Sequence, residues 1–132
     1  MKICISIGHG KSARGGATGG GFHEFRIARR IGFYIVEALK SYGCDVSLIN
    51  YDADMYLTDR IAFVNRGDFD LAAEIHLNAG GGTGSEVYYK HSDSKGKKLA
   101  AGISAGIAKT FSLRDRGAKI KLNSAGNDYF GF

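Results

Sequence analysis

The chain has 132 residues, 44% hydrophobic and 23% charged, with two cysteines and neither proline nor tryptophan. These are the proportions of one globular domain, and they exclude a disordered tail, a collagen-like chain and a small scaffold held by disulfides. Eighteen Lys and Arg against 13 Asp and Glu leave a net charge of +5, which favours an anionic partner but forms no dense basic block, so the plainer reading is a solvated surface with mild steering. No apolar run approaches the ~18 residues of a membrane span. Residues 3–7 are too short and too close to Met1 for a signal-peptide core. Glycine is the outlier, at 20 residues, roughly twice the usual share, which points to shaped loops around a site.

In chain order, residues 2–7 (KICISI) are β-branched and apolar and predict a buried first strand. Residues 8–21 form a glycine-rich loop. A helix is predicted over 24–42, with Ile27, Ile31, Tyr34, Ile35, Ala38 and Leu39 on its apolar stripe and Gly43 at its C′ position. Residues 45–49 predict a second strand. Residues 56–66 predict a short helix capped by Thr58 or Asp54 and stopped by Gly67. A third strand (70–76), a second glycine loop and a fourth strand (85–90) follow. The last predicted helix is 95–111, with Leu99, Ile103 and Ile107 inward, before a polar tail (RDRGAK, NSAGND) and the apolar end YFGF. Cys4 and Cys44 form no CxxC pair and read as buried free thiols.

Strands alternating with helices imply an α/β domain with a mostly parallel sheet, whose ligand crevice lies beyond the carboxyl ends of the strands. Both glycine loops leave strands directly, which puts His9 and His76 at the same sheet edge. Two imidazoles there suggest a zinc site, which needs a third ligand. Glu24 opens the first helix and faces the same edge; it is either that ligand or a carboxylate stabilised by the helix dipole. His23 is a rival, but helical neighbours point about 100° apart, so one of the two reaches the site. A phosphate reading also exists. Gly8, Gly10 and Ala13 match a dinucleotide pattern, and Gly10-Lys11-Ser12 echoes the end of a P-loop. The helix starts too late for the first, however, and Ile5 stands where the second needs glycine.

The series SIGHG, Glu24 at a helix start, LTDRIAFVN, EIHLNAGGGTGSEVYY and RDRGAK resembles the zinc-dependent N-acetylmuramoyl-L-alanine amidase family of the amidase-3 type, from Ile3 to about Lys119. The resemblance implies a mostly parallel twisted sheet flanked by helices, with His9, Glu24 and His76 as ligands of a zinc ion. It matches Leu57, Arg60 and Asn65 to a helix signature of packing and capping. Asn78 and Ala79 match the loop after the metal histidine, where Asn78 would contact substrate. Gly84, Glu86, Val87 and Tyr88 match the following strand, and Arg116-Gly117 a later turn. The implied reaction is hydrolysis of the amide between N-acetylmuramic acid and L-alanine in peptidoglycan, with a glutamate moving the proton. Peptidoglycan is then the partner, with no nucleic acid and no membrane.

Two departures accompany the resemblance. The family's general-base glutamate lies on a final strand followed by a last helix, whereas this chain stops at Phe132, with 128–132 read as the strand before it. The expectation is a domain over 1–132 lacking that last strand and helix, its catalytic base unassigned, its sheet edge exposed and open to covering by a homodimer. Glu74 is the second departure, since the family usually has a small residue there. Two residues before His76 on one strand face, it reads as a partner to a ligand, a holder of the water, or a carboxylate paired with Lys or Arg. Arg14, Arg114, Arg116 and Lys119 read as solvated charge or as contacts to wall carboxylates. Without an export signal, the chain would be made in the bacterial cytoplasm and reach the wall after release, as a phage or prophage lysin or a sporulation-type autolysin. The alternatives are a wall-binding module without turnover and a nucleotide-binding domain.

Overall fold

The computed structural model describes residues 1–12 and 16–131, which form two compact units, Met1–Gly80 and Gly81–Phe132. Both are α/β, with parallel strands packed against helices.

In the first unit, β1 (Lys2–Ile7) lies between β4 (Asp45–Ile49) and β5 (Leu71–Ile75), parallel to both. All of β1 beyond Lys2 is buried, as expected of a central strand covered on both faces. Between β1 and β4 come a hairpin of β2 (Thr18–Gly19) and β3 (Phe22–His23), then helix α1 (Glu24–Ser41). The hairpin lies inside the predicted glycine loop. Its central Gly20 and Gly21 have φ of 56° and 79°, the two positive values that a tight two-residue turn needs.

Helix α1 packs on the sheet with Phe25, Ala28, Gly32 and Val36 buried, and Ile35 and Leu39 beside them. The predicted stripe is therefore rotated: Ile35 and Leu39 belong to the core, but Ile31 and Tyr34 are 38% and 65% exposed, and Ala38 is exposed too. Small side chains at Ala28 and Gly32 let the helix approach the sheet, and the bulkier residues fall to one side. Gly43 follows the helix as expected, at φ 79°, donating to the Lys40 carbonyl. Helix α2 (Leu57–Arg66) starts at Tyr56 without a side-chain cap, so neither Thr58 nor Asp54 caps it; Asp59 in its first turn supplies the negative charge that the helix dipole favours. The core is Ile3, Ile5 and Val36 with Val46, Leu48, Leu71, Ala73 and Ile75 around them. Cys4 is buried in β1, where burial pushes its thiol up to about 11. Cys44 is only half-buried, and both are free.

In the second unit, β6 (Ser85–Tyr88) and β7 (Asp115–Lys119) pair in parallel, connected by α3 (Ser94–Phe111). Asp93 caps α3 by accepting from the N–H groups of Lys95 and Gly96. The buried face of α3 is Ala100, Ser104 and Ala108, not the predicted Leu99, Ile103 and Ile107, which are 44%, 40% and 39% exposed. Ser104 accounts for this register: its hydroxyl lies 2.9 Å from the Ser85 carbonyl and 2.5 Å from Asp115 Oδ1, two acceptors that share its one proton, which ties the helix to both strands. Strand β7 falls on the segment read as polar tail. Residues 128–131, read as a strand, contribute an isolated bridge between Leu122 and Asp128; Phe132 lies outside the described residues. No described helix is long and apolar enough to cross a membrane.

Candidate metal centre

Three elements of the first unit converge at the carboxyl end of β1. After Ile7, Gly8 continues the ladder by donating to the Ile75 carbonyl at 3.0 Å. His9 then takes a left-handed conformation, φ 63°, uncommon for a residue with a side chain and frequent at functional sites. Glu24 is the first residue of α1, buried, and His76 directly follows β5.

His9 Nε2, Glu24 Oε1 and His76 Nδ1 form a nearly equilateral triangle. Its sides are 3.2 Å from His9 to Glu24, 3.1 Å from His9 to His76 and 3.2 Å from His76 to Glu24. A tetrahedral zinc with bonds of about 2.0–2.1 Å separates its donors by about 3.3 Å. The donor set, two imidazoles and a carboxylate, is also one zinc accepts, so these residues fit the ion. They are the one such group of three among the described residues. The Glu24 side chain is 4% exposed, against 29% for His9 and 39% for His76, so the cluster is open on the histidine side. His23 lies outside it, exposed at the end of β3.

Electrostatics favour an ionised Glu24. Burial by itself would raise its pKa. The N–H groups of Ala17 and Leu77, each 2.7 Å from a carboxylate oxygen, and the charges of His9 and His76 outweigh burial and lower it. For His76, burial acts downward, but Glu74 and Glu24 together raise the pKa. Glu74 is also depressed, to about 2, because hydrogen bonds from His76, Arg60 and Ser6 overcome the cost of burial.

A family described as N-acetylmuramoyl-L-alanine amidase matches residues 3–124. The chain belongs to the N-acetylmuramoyl-L-alanine amidase family. The sporulation-specific N-acetylmuramoyl-L-alanine amidase of Bacillus subtilis (strain 168) is 33% identical over 123 residues, or 90% of this chain and 48% of that protein. N-acetylmuramoyl-L-alanine amidase CwlM of Bacillus licheniformis is 32% identical over the same shares. The chain thus spans about half the length of these relatives. Among solved structures, Cwp6 from Clostridium difficile superposes with a TM-score of 0.91 at 33% identity, covering 98% of this chain and 22% of that one. Amidase AmiC2 of Nostoc punctiforme gives 0.77 at 28% identity, over 89% and 67%.

Within this amidase-family chain, the signature helix does something other than pack and cap. Leu57 and Asn65 are exposed, whereas Arg60 is 4% exposed and ion-paired with Glu74 at 2.7 Å. Sequence reasoning passed over Asn50. It is buried, left-handed (φ 57°), and donates to the Ile7 and His9 carbonyls at 2.7 and 2.5 Å while accepting from the Met55 N–H at 2.9 Å. An asparagine just after a strand, a residue type tolerant of that conformation, was the available signal. The space beside Gly8 and Gly10 is taken by the His76 ring and the Asp54 carboxylate. Asn78 is exposed, two residues past His76. Arg114, Arg116 and Lys119 line an open cleft of about 530 Å³ in the second unit with Gly82, Thr83 and Asp115. There Arg116 and Lys119 share the Glu86 carboxylate at 2.9 and 2.5 Å, which offsets one of their two charges. Arg14 and Ala13 lie outside the described residues.

Proposed function

We propose that the chain is the zinc-binding catalytic portion of a peptidoglycan amidase, hydrolysing the bond between N-acetylmuramic acid and L-alanine. The observation that carries this reading is the triangle of His9 Nε2, Glu24 Oε1 and His76 Nδ1, with sides of 3.1–3.2 Å. Family membership supports it, as do two relatives named for that amidase activity. Zinc, when bound, would polarise the scissile carbonyl and acidify the attacking water.

The chain's own residues supply the binding and the orientation. His9, Glu24 and His76 hold the ion, and the N–H donors of Ala17 and Leu77 keep Glu24 ionised and oriented. Asn78, on the exposed chain after β5, offers its amide to the substrate's peptide groups. A net charge of +5 draws the domain to anionic wall polymers. The biological role this fits is wall lysis by a lysin or a sporulation-type autolysin.

The test is elemental analysis of the dialysed chain, followed by incubation with purified peptidoglycan. About one zinc per chain and chelator-sensitive release of new N-terminal alanine are expected. A folded chain that holds no zinc and refuses added zinc overturns the metal centre. Zinc binding and co-sedimentation with the wall, but no new alanine, would instead assign a binding module without turnover.

A further inference from the structure

Behind the three donors lies a buried ion pair. Glu74 precedes His76 by two residues, so both side chains leave the same face of the chain. The Glu74 and Arg60 side chains are 10% and 5% exposed. Glu74 Oε1 stands 2.8 Å from His76 Nε2. Its Oε2 accepts from Ser6 Oγ at 2.8 Å and from Arg60 Nε at 2.7 Å. Arg60 Nη2 also reaches Oε1 at 3.3 Å, and Nη1 donates to the Met55 carbonyl at 2.8 Å.

A buried ion pair is weak evidence for stability, because desolvation offsets most of its attraction. What distinguishes this one is its aim. A neutral imidazole carries one N–H, and the nitrogen that ligates a metal must be the other one. His76 faces a carboxylate at each nitrogen, but Glu74 is the nearer, 2.8 Å from Nε2 against 3.2 Å from Nδ1 to Glu24, so the single proton of the neutral ring goes to Nε2 and the Nδ1 lone pair is left on the side of His9 and Glu24. Three donors, Ser6, Arg60 and His76, already occupy the Glu74 oxygens, which suits orienting a ligand better than accepting a proton from water.

We propose that Glu74 is a positioning residue: it fixes His76 in the Nε2–H tautomer that presents Nδ1 to the metal, and Arg60 and Ser6 hold Glu74 in place. This rests on the metal centre proposed above, but its first consequence, the tautomer, is measurable without metal.

The decisive variant is Glu74→Gln, close in shape to the native residue. A glutamine has one oxygen, which Arg60 and Ser6 would claim, turning its NH₂ toward His76 and making Nε2 an acceptor. In alkaline solution, where the ring is neutral, ¹⁵N NMR of the metal-free chain should show Nε2–H on His76 in the wild type and Nδ1–H in the variant. Zinc affinity, read by competition with a chromophoric chelator, should fall about 10–100-fold. Should Glu74→Gln fail to fold, the double variant Arg60→Met/Glu74→Met removes the pair without stranding a charge and should show the same loss of affinity. An Nδ1–H wild-type ring overturns the proposal, as does unchanged zinc affinity in a folded variant. A wild type that shows Nε2–H but takes no zinc overturns the metal centre and leaves the orientation of His76 by Glu74 standing.

Discussion

The backbone of Gly8 lies directly against the imidazole of His76: a Cβ placed on Gly8 would come within 2.7 Å of both ring nitrogens. The two residues belong to neighbouring parallel strand ends, and the ring reaches Nδ1 toward His9 across the space that the missing side chain leaves. Gly8→Ala should therefore displace the ring while the strand still forms, because φ at Gly8 is not positive. The expected cost is about 1–3 kcal/mol, the usual range for overpacking. It should appear mainly as weaker zinc binding in a chelator competition, with a smaller change in melting temperature.

Asn50 holds the same turn from below. Removing its amide leaves the buried Ile7 carbonyl without its donor, at about 1–3 kcal/mol for each unsatisfied buried group. Asn50→Ala should cost about 2–4 kcal/mol in urea unfolding. Asn50→Gly loses the same hydrogen bonds but relieves the left-handed backbone, so it should be about 1 kcal/mol less damaging than alanine. An alanine variant as stable as the wild type would remove Asn50 from the support of the His9 loop.

Burial of Cys4 makes stability depend on alkaline pH. Its folded-state pKa is raised from 9.0 to about 11, so the unfolded chain releases the proton first as pH rises. The contribution is fully present below pH 9.0 and is lost progressively toward about 11, by about 2–3 kcal/mol. Denaturant midpoints measured across that range should fall more steeply in the wild type than in Cys4→Ala. Equal slopes would mean the thiol titrates normally.

The face of α3 gives a paired comparison. Ala100 is 3% exposed and Leu99 44%. Ala100→Leu should drive the helix off β6 and β7 at about 1–3 kcal/mol, while Leu99→Ala, which removes half-exposed area, should cost under about 1 kcal/mol. The reverse order, by thermal or urea unfolding, would restore the stripe read from periodicity.

Both helices show why periodicity alone misplaced the core. On α1 the counting rule selected large apolar residues, Ile31 and Tyr34 among them, yet the sheet accepts Ala28 and Gly32. On α3 it selected Leu99, Ile103 and Ile107, yet the strands accept Ala100, Ser104 and Ala108. Hydrophobicity identifies that a helix is amphipathic; close approach to a sheet is decided by size, and small residues carry little signal in a pattern count. Strand β7 was missed for a related reason. Asp115, Arg116 and Lys119 have no strand character of their own, and the strand exists because β6 offers a ladder and Glu86 pairs with both Arg116 and Lys119.

The two histidine donors were legible because topology is local information in a parallel α/β chain. A strand that runs out into a glycine loop leaves its last side chains at the sheet's carboxyl edge, so His9 and His76 fall at that edge, whereas Glu24, at the start of a helix facing it, stood between ligand and dipole-stabilised carboxylate until the family resemblance implied it as the third ligand. The residue types and their order along the chain therefore suffice for the fold class and for the two histidines, and the resemblance to the amidase family implies Glu24. Neither could reveal the left-handed turn at His9, the hydrogen bonds of Asn50, or the pairing of Arg60 with Glu74 across 14 residues of sequence. Those depend on distances that exist only once β1, α2 and β5 are packed together, since hydrogen bonds and ion pairs decay over ångströms and leave no periodic mark in the chain.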